Sequence, residues 1–168
     1  MFDARKKARK RRKGLSADDR EKFSAIICEK AKEVIKNADT VMLYSPIDCE
    51  VDVFPLYSLN KNLLLPRVEG ENMVACKIGE TQRGAFGVLE PIGNAYEGKI
   101  DCVIVPMCAF DRELNRLGFG KGYYDRFLSV RDTLKVGVAF SCQQAEGIVP
   151  KDTDVKMDLI ITEKDILR

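Results

Sequence analysis

The densest chemical signal in this chain is Asn115-Arg-Leu-Gly-Phe-Gly-Lys-Gly-Tyr-Tyr-Asp125. Glycines alternate at 118, 120 and 122, after an apolar run and ahead of a segment with helical character. Glycine lets the backbone take positive φ and lets a ligand approach closely. Successive N–H groups at the entry of a helix form an anion cradle. Lys121 inside the loop and Arg116 before it add fixed positive charge. Together these features describe a polyphosphate site. The spacing is neither that of a Walker A loop nor that of the dinucleotide fingerprint. The plainer alternative is a glycine-rich turn that leads into a helix.

Carboxylates stand where a phosphate site would use them. Asp125 falls in the first turn of the expected helix, where it either complements the helix dipole or holds Mg²⁺ against phosphates. Asp154, in Thr153-Asp-Val-Lys-Met-Asp158, is the candidate second carboxylate, or else an ordinary loop residue. Glu50 and Asp52, in Ser45-Pro-Ile-Asp-Cys-Glu-Val-Asp52, either accept ligand N–H groups or form a solvated loop and a helix cap. Tyr123 and Tyr124 either pack in the core or stack on a flat heteroaromatic ligand.

The chain contains no histidine. Ser-His-Asp and Cys-His nucleophilic systems are therefore excluded, as is any histidine metal site. The six cysteines form no C-x-x-C pair, and their spacing reads as buried, reduced thiols of a cytosolic protein. Any catalysis rests on carboxylates, Lys, Arg, Tyr, backbone dipoles and a co-substrate or metal.

The elements that must position these residues are legible in outline. Residues 3–13 suit a helix but carry no apolar stripe, so alone that helix is marginal. Gly14 interrupts it. Ser16 and Asp19 resemble a capping box with Asp in place of Glu, and Phe23, Ile26, Ile27, Ala31, Val34 and Ile35 follow at helical spacing, with Asn37 as the stop. Short apolar runs at 40–45, 62–66, 73–78, 101–106, 135–140 and 157–162 read as strands covered on both faces. Helices are expected near 51–60 and 121–130. The result is a single α/β domain over residues 1–168 with a mostly parallel sheet. Ligands in such sheets gather beyond the C-terminal ends of strands, where the loops after 40–45, 101–106 and 135–140 lie.

At 168 residues, 45% hydrophobic and 32% charged, the chain reads as soluble and globular, with no membrane span and no secretory signal. Residues 5–13 carry eight positive charges against a net charge of +2, so the remainder sums to −6. The basic segment is a phosphate clamp, a patch for nucleic acid or an acidic partner, or a solvated face.

Arg116-Leu-Gly-Phe-Gly-Lys-Gly-Tyr-Tyr-Asp125 resembles the signature of the 5-formyltetrahydrofolate cyclo-ligases, also called methenyltetrahydrofolate synthetases. The resemblance takes in the basic N-terminal helix with Leu15-Ser-Ala-Asp-Asp-Arg20, then Glu50-Val-Asp52, Leu65-Pro-Arg67 and Gly87-Val-Leu-Glu-Pro91. It continues through Val105-Pro106, Phe110-Asp111 and Gly137-Val-Ala-Phe140 to Asp154-Val-Lys-Met-Asp158 and Ile161-Thr-Glu163. It implies a Rossmann-like three-layer fold. ATP phosphates would be wrapped by Arg116, Leu117, Gly118, Phe119, Gly120, Lys121, Gly122, Tyr123 and Tyr124, with Arg5 reaching over from the N-terminal helix. Ser45, Glu50 and the segment Phe119 to Tyr123 would lie against the folate, with Glu50 at the pterin. Asp125 and Asp154 would bind Mg²⁺, and Lys121, Arg116 and Tyr123 would form the catalytic group.

Two positions depart from the family pattern. Met1 stands where a Lys four residues before Arg5 is usual, and Arg5 with Arg9 keeps the same spacing. Leu114 stands where a turn glycine is usual, so that loop is expected to differ in shape. The implied reaction is ATP-dependent closure of 5-formyltetrahydrofolate to 5,10-methenyltetrahydrofolate by a cytoplasmic monomer with small-molecule partners and no nucleic acid or membrane. The rivals are a sugar-phosphate isomerase or acyl-CoA transferase on the same type of sheet, and an RNA-binding module led by the arm at 5–13.

Overall fold

The computed structural model describes residues 2–84 and 87–168. The chain begins with helices α1 (Phe2–Lys13) and α2 (Ala17–Val34). Strands β1 (Thr40–Met42), β2 (Asn62–Glu69), β3 (Asn72–Lys77), β4 (Thr81–Arg83), β5 (Leu89–Pro91), β6 (Cys102–Pro106), β7 (Ala109–Phe110) and β8 (Arg116–Leu117) follow. Helix α3 (Tyr123–Ser129) and strands β9 (Leu134–Val138), β10 (Leu159–Ile161) and β11 (Ile166–Leu167) complete the order. None of the described helices is long and apolar enough to cross a membrane.

Ser16 caps α2 as its sequence implies. Its Oγ accepts the Asp19 N–H at 3.0 Å and donates to the Asp19 carboxylate at 2.8 Å. The helix expected at 51–60 is not formed; a single 3₁₀ turn at Phe54–Leu56 stands there. Val51 and Val53 are both buried while Asp52 faces water, an alternation that does not suit a helix. Asp52 then caps the turn, accepting the Phe54 N–H at 2.9 Å.

Seven strands form one sheet in the order β11-β10-β9-β6-β1-β2-β3. The pairings β2–β1, β1–β6, β6–β9 and β9–β10 are parallel, and the edge strands β3 and β11 pair antiparallel. Alternate residues of each strand serve opposite faces. Val41, Ile104, Val136 and Ile161 pack with Ile27, Cys28 and Ala31 of α2. Met42, Val103, Val105 and Ile160 pack with Phe127 and Leu128 of α3. Helix, sheet and helix make three layers, which explains the continuous apolar runs. At Gly137 a Cβ would lie 2.3 Å from Met107 Cε, so the α3 face closes tightly only over glycine.

Helix α1 docks by charge instead of by an apolar stripe. Ala8 meets Ala109, Leu117 and Ile148 in a small cluster of its own. Arg12 is fully buried and donates to Met107 O at 3.3 Å and Asp48 O at 2.6 Å. The Asp48 carboxylate takes ion pairs from Arg9, from Arg12 at 3.3 Å and from Lys13 at 2.8 Å. Burial opposes its charge, yet the bonds from Lys13 and Arg9 prevail and hold the carboxyl below its ordinary range. Asp48 also sits at φ 48, a left-handed region that Asn tolerates.

Asp48→Asn therefore isolates the charge. It should lower the unfolding free energy by about 2 kcal/mol in urea titrations at pH 7. That is less than the ~3–5 kcal/mol of a fully buried pair, because Asp48 keeps contact with water. A group depressed on folding stabilises above its unfolded pKa, so the gap between wild type and variant should close only as pH falls well below 3.8.

Candidate active site

The sheet order reverses between β1 and β6. The chain leaves β1 for β2 on one side and returns as β6 on the other. Such a switch point leaves a crevice at the strands' C-terminal ends. A cavity of about 910 Å³ lies there, bordered by Tyr44 and Ser45 beyond β1 and by Pro106 at the end of β6. That volume suits a large organic ligand.

One end of the cavity is cationic. The glycine loop enters α3 through Gly120 at φ 96 and Gly122 at φ 70, conformations that side chains resist. Lys121 is exposed at this end. Arg5 arrives from α1, its Nε donating to Gly118 O at 2.8 Å. Arg9 lies 5.3 Å from the Phe119 ring centroid, so both arginines of the i, i+4 pair meet the loop. Met1 lies outside the described residues. Arg116 is buried, stacks 5.6 Å from the Tyr124 centroid and pairs with Asp125 at 2.8 Å. Its Nε has no hydrogen-bond partner among the described residues. Tyr123 and Tyr124 pack against the sheet and also carry guanidinium groups on their faces, Tyr123 that of Arg126 at 5.4 Å.

Leu114 shapes the approach to Arg116. It adopts φ 65, so the backbone takes there the conformation that glycine favours. The distortion costs about 1–2 kcal/mol. Asp111 offsets it by accepting N–H groups from Glu113 at 3.0 Å and Asn115 at 2.9 Å, and the Asn115 amide at 2.8 Å.

The two candidate metal carboxylates border the same cavity. Asp125 Oδ1 accepts from Arg116 and from the N–H of Val155, the residue after Asp154, at 3.2 Å. Asp154 Oδ2 closes its own turn through Lys151 N at 2.9 Å. Each thus keeps one carboxylate oxygen without a hydrogen bond among the described residues. Among those residues no cluster of three or more His, Cys, Asp or Glu could hold a metal. A pair of carboxylates nonetheless fits Mg²⁺, which fills most of its octahedron with water and phosphate oxygens.

The other end is apolar with buried acid groups. Glu50 is buried, and its Oε2 accepts the Ile47 N–H at 3.0 Å. Its Oε1 is buried without a hydrogen-bond partner among the described residues. Burial pushes its pKa up to about 7 against the pull of the Ile47 bond and of Arg12. Asp52, by contrast, is the cap described above, outside the cavity. Ser45 Oγ donates to Leu89 O at 3.3 Å and borders the same space. Apart from Asp52, the site residues expected from sequence all border this one cavity. Sequence reasoning missed Asp48, which holds the arm, and Glu90, which borders the cavity; both lay in quoted stretches with no distinguishing pattern.

A sequence model of the 5-formyltetrahydrofolate cyclo-ligase family matches residues 3–163. The chain belongs to this family. It is 33% identical over 133 residues to the 5-formyltetrahydrofolate cyclo-ligase of Mycoplasma pneumoniae, covering 74% of this chain and 73% of that one. The corresponding protein of Haemophilus influenzae is 28% identical over 177 residues, covering 94% and 95%. Among solved structures, the 5,10-methenyltetrahydrofolate synthetase of Aquifex aeolicus superposes with a TM-score of 0.88 at 38% identity, covering 99% of this chain and 91% of that one. The cyclo-ligase family is one of enzymes, and its fold is the mostly parallel α/β architecture seen here.

The state of Glu50 gives a stability test. Unfolded, it releases its proton near 4.5; folded, only at about 7. Rising pH through that window withdraws stability, because the unfolded state ionises first. Glu50→Gln should therefore raise the melting temperature at pH 8 by the equivalent of about 3 kcal/mol and change it little at pH 4. Calorimetric melts at the two pH values would decide it; equal shifts at both would refute the buried-carboxylate assignment.

Proposed function

We propose that this protein converts 5-formyltetrahydrofolate to 5,10-methenyltetrahydrofolate at the expense of ATP, releasing ADP and phosphate. The observation that carries the reading is one cavity with two unlike ends: a glycine loop ringed by Arg5, Arg9, Arg116 and Lys121, and a buried Glu50 with an unpartnered oxygen. The first suits a polyphosphate and the second the N–H groups of a pterin ring. The family membership supports the same assignment. A cytoplasmic monomer working as one domain over residues 1–168, on small molecules and not nucleic acid, is part of the proposal. The guanidinium groups of Arg5, Arg9 and Arg12 turn inward onto the body, which favours the phosphate clamp over a nucleic-acid patch.

In this mechanism the formyl oxygen on N5 attacks the γ-phosphorus of ATP, and the bond to ADP breaks. N10 then attacks the activated carbon. The carbon–oxygen bond breaks, phosphate leaves, N10 loses its proton, and the methenyl bridge remains. An amide oxygen attacks without first losing a proton, which suits a site without histidine. Phosphoryl transfer depends on positioning and charge neutralisation. Lys121 and Arg116 supply fixed charge, the amides of Gly118, Gly120 and Gly122 cradle phosphate oxygens, and Tyr123 closes the loop beside them. Leu117, Phe119 and Tyr124 shape the nucleotide's bed. Ser45 and Glu50, with the Phe119–Tyr123 segment, hold the folate. Asp125 and Asp154 are the residues that would hold Mg²⁺, which supplies further neutralisation at the phosphates.

The test is absorbance in the methenyl-folate band after mixing protein, 5-formyltetrahydrofolate, Mg²⁺ and ATP. The band should grow only with ATP present. Asp125→Ala should abolish growth, and Lys121→Ala should lower kcat at least tenfold with a smaller change in the KM for ATP. A folded protein that produces no band would overturn the proposal.

A further inference from the structure

Strand β5 carries a carboxylate that nothing above employs. Glu90 is 6% exposed and borders the same cavity. Its Oε1 accepts the Val68 N–H at 3.2 Å. Its Oε2 has no hydrogen-bond partner among the described residues, and none of their cations pairs with it. Arg67 runs close by but spends its guanidinium on Glu69, Pro91 O and Gly93 O. At Gly84 a Cβ would lie 2.0 Å from Glu90 Oε2, so the chain admits the carboxylate there only beside a residue with no side chain. Oε2 is not among the buried side-chain atoms that lack a partner, so it is open to solvent on the cavity side and within reach of a ligand's donor.

The rest of this wall is apolar, formed by Pro66, Val68, Met73 and Val88. An ionised carboxylate only accepts hydrogen bonds. Its complement is a flat group with N–H donors on its edge, which describes the aminopyrimidinone half of a pterin.

We propose that Glu90 is a second specificity residue, accepting a ring or amino N–H of the folate through Oε2 while Glu50 accepts another from the loop after β1. The inference rests on the folate reading of the cavity. Two acceptors on separate elements fix the ring in one orientation, which a single carboxylate does not. They also discriminate against flat ligands lacking those donors, because the acceptors would then be buried unpaired.

Titration of the protein with 5-formyltetrahydrofolate in the absence of ATP, and separately with a non-hydrolysable ATP analogue, tests this. Glu90→Met should weaken folate binding at least tenfold and leave the nucleotide analogue within twofold. Glu90→Gln, which keeps an acceptor for Val68 N–H but puts an amide donor where Oε2 stood, should weaken folate binding by a similar factor. Folate affinity within twofold of wild type in Glu90→Met would overturn the inference. So would equal losses for both ligands with a lowered melting temperature, which would mark Glu90 as purely structural. Absence of folate binding by the unaltered protein would instead overturn the functional reading, and this inference with it.

Discussion

Three cations of one helix converge on the Asp48 carboxylate, and the roof of the cavity hangs on that contact. Helix α1 is too polar to bury a conventional face, so hydrophobic packing cannot hold it. Its attachment comes from alanine-sized contacts and from a buried guanidinium that reaches two backbone carbonyls. Arg12 and Asp48 fix the C-terminal half of the helix, and that rigid rod carries Arg9 and Arg5 out over the glycine loop. The anchor and the ligand-facing residues are thus two parts of one charge pattern.

Beneath this roof the sheet does the positioning. Its switch point brings the β1 loop, the end of β6 and the glycine loop to one crevice although they are distant in sequence. The three-layer packing leaves little freedom at its base, where Gly137 lets Met107 and Met157 close over the strand. The loops above are tied down in turn by Asp111 and by the Arg116–Asp125 pair. Polar groups held in place before a ligand arrives need not reorganise during a reaction.

Much of this was legible from sequence because burial on both faces writes itself as unbroken Val, Ile and Leu runs. The core strands and the helix after the glycine loop were readable for that reason. The segment 51–60 was not, because its fate depends on where Val51 and Val53 must point, which only the packed sheet decides. The short hairpins β4–β5 and β7–β8 went unseen, since two- or three-residue strands carry no period. Among the site residues, the glycine loop and its flanking charges were visible through spacing alone. Asp48 was not, because nothing local distinguishes an aspartate that collects three cations from one in a solvated turn. Leu114 shows a subtler limit. Its residue type gives no sign of a left-handed backbone, which the surrounding hydrogen bonds hold in place.

The buried state of Glu50 has a consequence beyond binding. The chain contains no histidine, and the thiols whose acidity is clearly shifted by burial move upward, away from neutrality. Burial weakens the Glu50 acid, raising its pKa to about 7, so its charge changes close to neutral pH. An occupant that donates N–H groups to Glu50 favours its ionised form, so calorimetric titrations in buffers of different ionisation heat would register a proton released as the chamber fills.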